Sequence, residues 1–439
     1  MNRREMLRSV SGGFGYLALA GLSAGEALAS AASPLAPRPP HFPAKAKRVI
    51  FLYMSGAPSQ YETFDYNPEL ANAAKRGNVL GPAFEFKQCG QSGLPISEIF
   101  PKIGEQADEL CLLNGMTTDS PAHPQATITL HTGTFTFVRP SMGAWVVYGL
   151  GTENENLPGF ISINPKGNGG SQNIGSAFLP ATYQGTPYLT KDGRLPNIAN
   201  PDVSGAAQRK QIDLIQSLNQ SYLHKATADP ELEGVIQSYE MAFRMQTSIP
   251  GVLDVSSESE AMKNRYGLDQ EETREFGAQC LLARRLVEAG VRFIELSHGD
   301  WDHHSNLRGR IQLASRQIDQ PIAALIGDLK ERGLLKDTLI IWGGEFGRST
   351  AGQNGNGRDH NHGGFTMWMA GGGVKGGMRY GATDPVTGSA VTGKIHVHDL
   401  HATILNQLGL DHTKLTYRYG GRNFRLTDVF GKVVTEILA

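Results

Sequence analysis

The sequence predicts an α/β fold, a mainly parallel central sheet with helices on both faces. Three observations lead there. Short β-type runs alternate with helical patterns along the chain, as in sheets whose strands are joined by helical crossovers. Two of the runs, Val49-Ile-Phe-Leu-Tyr53 and Leu339-Ile-Ile-Trp342, are apolar throughout instead of alternating, the mark of strands buried on both sides. The 53 glycines gather in short loops between the runs, where backbone turns sharply or must approach a ligand.

The elements follow in chain order. Residues 1–29 read as an address: Arg3-Arg4, the short apolar stretch 14–24 and Ala27-Leu28-Ala29 resemble a twin-arginine export signal with its cleavage site, which implies a periplasmic or secreted protein. The stretch is shorter than the about 20 apolar residues of a membrane span. A Pro-rich linker over 30–45 then leads into one domain, 46–439. Strands are expected at 48–54, 110–113, 160–163, 292–296, 338–342 and 365–369. Helices are expected at 231–245, 271–289 and 310–332, where apolar residues recur at three and four residue spacing. The segment 164–223, rich in Gly, Asn, Gln and Ser, reads as an inserted cap or rim.

Composition narrows the function. With 41 basic against 42 acidic residues the chain carries a formal charge of −1, and its body has no basic run, so nucleic acid and membrane surfaces are poor partners. Cys89, Cys111 and Cys280 are far apart and odd in number, which excludes a disulfide framework and a Cys-based zinc site with close pairs.

Open α/β sheets bind ligands beyond the carboxyl ends of their strands, so the residues that follow the strands matter most. After the run ending at Leu296 comes His298-Gly-Asp300-Trp-Asp302-His303-His304, and an extended backbone there would point residues 298, 300, 302 and 304 one way. After Ile341-Trp342, the pair Gly343-Gly344 delivers Glu345, with Arg348 three residues on. The loop 354–364 presents Asp359, His360 and His362. Nine of the thirteen histidines lie beyond residue 297, and imidazoles mixed with carboxylates suit a divalent ion, zinc first, with manganese or iron as alternatives. Arg348 suits either a structural ion pair or bidentate recognition of a tetrahedral oxyanion.

Met54-Ser-Gly-Ala-Pro-Ser59, Pro140-Ser-Met-Gly-Ala-Trp145, Trp342-Gly-Gly-Glu-Phe-Gly-Arg348, Arg358-Asp-His360, Ala370-Gly-Gly-Gly-Val-Lys-Gly-Gly377 and His396-Val-His-Asp-Leu-His-Ala-Thr403 together resemble the exported bacterial domain-of-unknown-function family 1501. The family carries the label "sulfatase" by analogy and resembles the alkaline phosphatase superfamily, metal-dependent hydrolases of phosphate or sulfate esters. The resemblance implies a three-layer alkaline phosphatase-like fold and an anionic ester substrate, small molecule or glycan. It also implies roles. Asp302 and His304 resemble the superfamily's aspartate-histidine metal pair, Glu345 the acidic ligand after a late strand, and His360 or His362 the final histidine ligand.

Two departures stand out. The superfamily's metal-binding aspartate after the first strand is replaced by Ser55-Gly56, and the family's usual His and Asp are Gln60 and Glu62 here. A neutral amide is a poor transition-metal ligand, which argues against a second ion. Formylglycine sulfatases resemble one another in a Cys-x-Pro-Ser-Arg run nine residues before Thr-Gly. Counting back from Thr132-Gly133 lands on His123, in Ala122-His-Pro-Gln-Ala126, so formylglycine chemistry is excluded. His123 is then ligand, acid, base or nucleophile, or metal-activated water makes the attack. The expectation is an exported metal-dependent ester hydrolase. The alternative is a catalytically inactive protein on the same fold that binds sulfated or phosphorylated glycans. The run His396 to His401 is expected to cap a helix and to support the site from behind.

Overall fold

The computed structural model describes residues 34–77, 79–154, 156–190, 204–223 and 251–439. The expected export signal and the expected helix at 231–245 lie outside them. The main-sheet strands are β1 (Arg48–Met54), β2 (Leu110–Thr117), β3 (Phe160–Ile163), β4 (Thr186–Tyr188), β5 (Phe293–His298), β6 (Thr338–Gly343), β9 (Phe365–Ala370), β10 (Met378–Tyr380) and β11 (Ile395–His396). A separate hairpin joins β7 (Gly347–Gln353) to β8 (Gly357–Asn361). The helices used below are α1 (His123–Thr132), α2 (Met142–Leu150), α3 (Gly205–Leu223), α4 (Glu271–Glu288), α5 (Leu307–Glu331) and α6 (Val397–Gln407).

The sheet runs β10-β2-β9-β6-β1-β5-β3-β4, with β11 also beside β2. Every neighbouring pair is parallel except those of β9, which lies antiparallel to both β2 and β6. The two all-apolar runs, β1 and β6, are adjacent in the middle. Side chains alternate across a strand, and β1 shows which helices cover which face. Phe51 and Tyr53 meet the ring of His131 on α1, while His298, the register partner of Met54, meets Phe276 of α4 on the opposite face. The fold is therefore a three-layer α/β sandwich.

Parts of the chain expected outside the core are tied to it. Leu35 of the Pro-rich stretch is buried, and the amides of Arg38 and His41 donate to Leu150 and Gly409 at 2.9 Å each. The glycine-rich segment contributes β4 as an edge strand before reaching α3. Among the described residues no helix is long and apolar enough to cross a membrane.

The histidine run at the start of α6 acts as a cap. The His396 ring accepts from the His398 amide at 3.2 Å and the Asp399 carboxylate accepts from the His396 amide at 2.9 Å, a capping box built on histidine. His398 and His401 then donate through Nε2 to the carbonyls of Gly133 and Leu130, at 2.6 and 2.8 Å, and so dock α6 onto the end of α1. His401 is fully buried and its Nδ1 has no partner; burial lowers its pKa to about 3. The unfolded chain restores a value of about 6.5, so this residue's stability contribution is whole above that pH and drains away as pH falls toward about 3. Replacing it in His401→Gln should reduce the loss of stability between pH 6.5 and 5 by up to about 1.4 kcal/mol per pH unit, read from urea midpoints.

Candidate active site

The carboxyl ends of β1, β5 and β6 are adjacent, and each exits through a turn that the packing enforces. Gly56 has φ of +106°, and a Cβ there would sit 2.7 Å from the amide nitrogen of Asp302. A Cβ on Gly344 would lie 2.8 Å from the carbonyl of Met54. Glycine at both points lets the three loops close on one another. After β5 the chain does not stay extended, because Asp300 adopts the left-handed conformation at φ +65°. The expected alignment of residues 298, 300, 302 and 304 is thereby broken. His298 accepts from Trp301 Nε1 at 3.0 Å and packs against Phe276, it and Asp300 line a separate hollow, and only Asp302 and His304 turn toward β8.

There they meet His360 and His123. His304 Nε2 lies 2.9 Å from Asp302 Oδ1 and 2.9 Å from His360 Nε2, while His123 Nε2 and His360 Nε2 each lie 3.4 Å from the same carboxylate oxygen. Ligating atoms of His123, Asp302 and His360 all fall within 4.8 Å of one another. The other ring nitrogen of each histidine has a fixed acceptor. His123 Nδ1 is 2.6 Å from Glu345 Oε1, His360 Nδ1 is 2.6 Å from the Pro121 carbonyl, and His304 Nδ1 bonds the Gln353 side-chain oxygen. Acceptors at Nδ1 fix the proton there, so the Nε2 lone pairs of His123 and His360 and the Asp302 carboxylate face one another, with His304 Nε2 beside Asp302 and His360. His123 Nε2 is buried and has no aligned hydrogen-bond partner.

Such a convergence of acceptors needs positive charge. Burial of His123 opposes protonation, but Asp302 and Glu345 outweigh it and raise the ring's pKa to about 9. Asp302, although partly buried, is held well below the usual carboxylate range by His123, His360 and Arg348. A divalent ion would take the place of that proton, and imidazoles with one carboxylate are the donor set of zinc, manganese or iron.

Not every residue expected at the site is in the cluster. Glu345 is fully buried one step behind it, its carboxylate accepting from the Gly56 amide at 3.1 Å and Tyr53 Oη at 3.2 Å as well as from His123. Arg348 is buried under the site. Its Nε donates to the Ala57 carbonyl at 2.9 Å, and Nη2 donates to the Gly56 carbonyl and to Asp302 Oδ1 at 2.7 Å. The guanidinium thus clamps the exits of β1 and β5 together and orients Asp302. His362 has an exposed side chain, and its backbone carbonyl accepts from the Thr118 amide at 3.0 Å.

Gln60 bonds the Arg348 amide and carbonyl, at 2.8 and 2.9 Å, and Glu62 forms a fully buried pair with Arg358 at 2.8 Å. Both positions are occupied by structural contacts. Gln353 and Pro121 were invisible as site residues in the sequence. Tyr53 left one signal, a hydroxyl inside an apolar strand.

The family model described as "Protein of unknown function (DUF1501)" matches residues 46–438. The chain belongs to this family. Among curated proteins there is no match. Solved structures similar to the chain include the lipoteichoic acid synthase LtaP from Listeria monocytogenes, at 11% identity and a TM-score of 0.37, covering 89% of this chain and 78% of that one. The PsFucS1 sulfatase from Pseudoalteromonas sp. is similar at 13% identity and a TM-score of 0.36, covering 83% and 68%. The alkaline phosphatase from the Antarctic bacterium TAB5 is similar at 10% identity and a TM-score of 0.35, covering 83% and 98%. Likeness of this degree carries no activity across.

Proposed function

We propose that this member of the family is an exported, metal-dependent hydrolase of phosphate or sulfate esters. The observation that carries the reading is the meeting of Asp302 with the Nε2 atoms of His123, His304 and His360, each ring held in one tautomer from behind. A divalent ion held by these residues would supply positive charge to an ester oxygen and lower the pKa of a bound water.

The protein's own groups do the rest. Glu345 keeps the proton on His123 Nδ1 and so presents the Nε2 lone pair to the ion, as the Pro121 carbonyl does for His360. His123 is the first residue of α1, whose unpaired first-turn amides and helix dipole favour an anion beside the ion. Arg348 fixes the angle of Asp302.

The test is to purify the protein, measure bound metal, and assay aryl phosphates and aryl sulfates before and after chelation. Hydrolysis that falls with chelation and returns with zinc, manganese or iron supports the reading. Undiminished hydrolysis by metal-free protein removes the metal. A protein that holds metal but turns over neither ester class removes the hydrolase. Glu345→Gln should lower metal affinity or turnover by roughly 10–100-fold while the fold persists, the scale for groups that orient a ligating histidine.

A further inference from the structure

The loop that follows α1 leaves the reacting cluster behind, since ten helical residues span about 15 Å. It builds a second feature. Arg139 stacks over three rings, with its guanidinium carbon 4.3 Å from the centre of Phe424, 5.0 Å from Phe137 and 5.8 Å from Phe178. Phe178 in turn stacks on Tyr419 at 5.2 Å, and Arg422 covers Phe424 at 4.9 Å. Arg422 is paired with Asp428, whereas Arg139 has no hydrogen bond or ion pair among the described residues. Beside it opens a groove of about 620 Å³ lined by Arg139, Phe178 and Tyr419 and by the polar side chains of Ser171, Gln172 and Gln184. Tyr419, which stacks on Phe178 and lines the groove, is nevertheless 51% exposed, and Phe137, which meets Arg139, is 60% exposed.

We propose that this groove binds a sulfated oligosaccharide, with Arg139 pairing to a sulfate group and Tyr419 lying against a sugar ring. Exposed aromatic faces suit the C–H faces of a pyranose, and hydroxyl and amide side chains along the groove suit its hydroxyls. Charge selects among anionic chains. The Arg422–Asp428 pair cancels, leaving a single positive charge at Arg139, which matches a singly charged sulfate ester better than a doubly charged phosphate monoester. One free guanidinium is also too little for a nucleic acid, which demands a cationic track along its backbone.

The groove connects to the cluster through one stretch of chain. Gly167 lies against the ring of Tyr53 and the side chain of Ser55 at the sheet edge, and residues 171–184 then form the groove wall. The proposal deepens the ester reading by naming its substrate class, and rests on that reading for the link between groove and cluster.

Binding is measured by calorimetry on the full chain with a dextran sulfate oligosaccharide, with neutral dextran of equal length, a phosphorylated dextran and single-stranded DNA as comparisons. The expected result is sulfate-dependent binding that weakens at least tenfold in Arg139→Ala and persists in Asp302→Asn. Arg139→Gln, which keeps the stacking plane, repeats the measurement should the alanine variant fail to fold by circular dichroism. Affinity that tracks Asp302 and ignores Arg139 overturns the proposal, as does equal or tighter binding of neutral dextran, phosphorylated dextran or DNA. Arg139-dependent binding in a protein that hydrolyses no ester would sink the hydrolase and leave the groove standing.

Discussion

Asp302→Asn should empty the cluster of metal and reduce ester hydrolysis roughly a thousandfold, the equivalent of about 4 kcal/mol of transition-state stabilisation. Asp302 Oδ1 is the atom that His123, His304, His360 and Arg348 all face, so its charge organises every other group. The amide keeps the shape and removes the charge. Metal content by elemental analysis and turnover of aryl esters should fall together, with the thermal midpoint no longer sensitive to chelator. Full activity and full metal content in this variant would place the ion or the chemistry elsewhere.

Arg348→Met should produce the largest loss of stability in the protein's site region. The guanidinium is 1% exposed and donates to the carbonyls of Gly56 and Ala57 as well as to Asp302. Removing it strands those acceptors and leaves the Asp302 carboxylate without its cation, a loss of about 3–5 kcal/mol. Arg348→Lys should recover little, because an ammonium cannot reach carbonyls and carboxylate from one plane. Urea denaturation reads the effect directly. A variant of normal stability with weakened substrate binding would instead return Arg348 to the oxyanion-holding role that its position in the sequence suggested.

These two residues show how far the sequence could be read. The strand run 338–342 followed by two glycines was enough to place Glu345 and Arg348 at a sheet edge, and β6 indeed ends there. Which way each side chain points was not legible. Glu345 faces His123 across 222 residues of chain, and Arg348 points down into four carbonyl groups that carry no sequence signature of their own. His360 and His362 looked interchangeable at spacing two. The choice between them falls to the hairpin of β7 and β8, which turns His360 toward Asp302 and leaves the His362 side chain exposed. The extended reading of residues 298–304 failed at one backbone angle, the left-handed Asp300, which no pattern of apolar residues announces.

The sequence by itself determined the layered architecture, the family and the edge of the sheet where the chemistry-bearing residues gather. Those follow from local properties: continuous apolar runs, helical periodicity and motif spacing. Only the tertiary structure decided which donors share a point and which stand behind them. Convergence of His123, Asp302, His304 and His360 depends on the segments after β2 and β5 and the β7–β8 hairpin meeting at distances of 2.9 to 3.4 Å, and such long-range closure is set by packing of the whole sheet rather than by any stretch of chain.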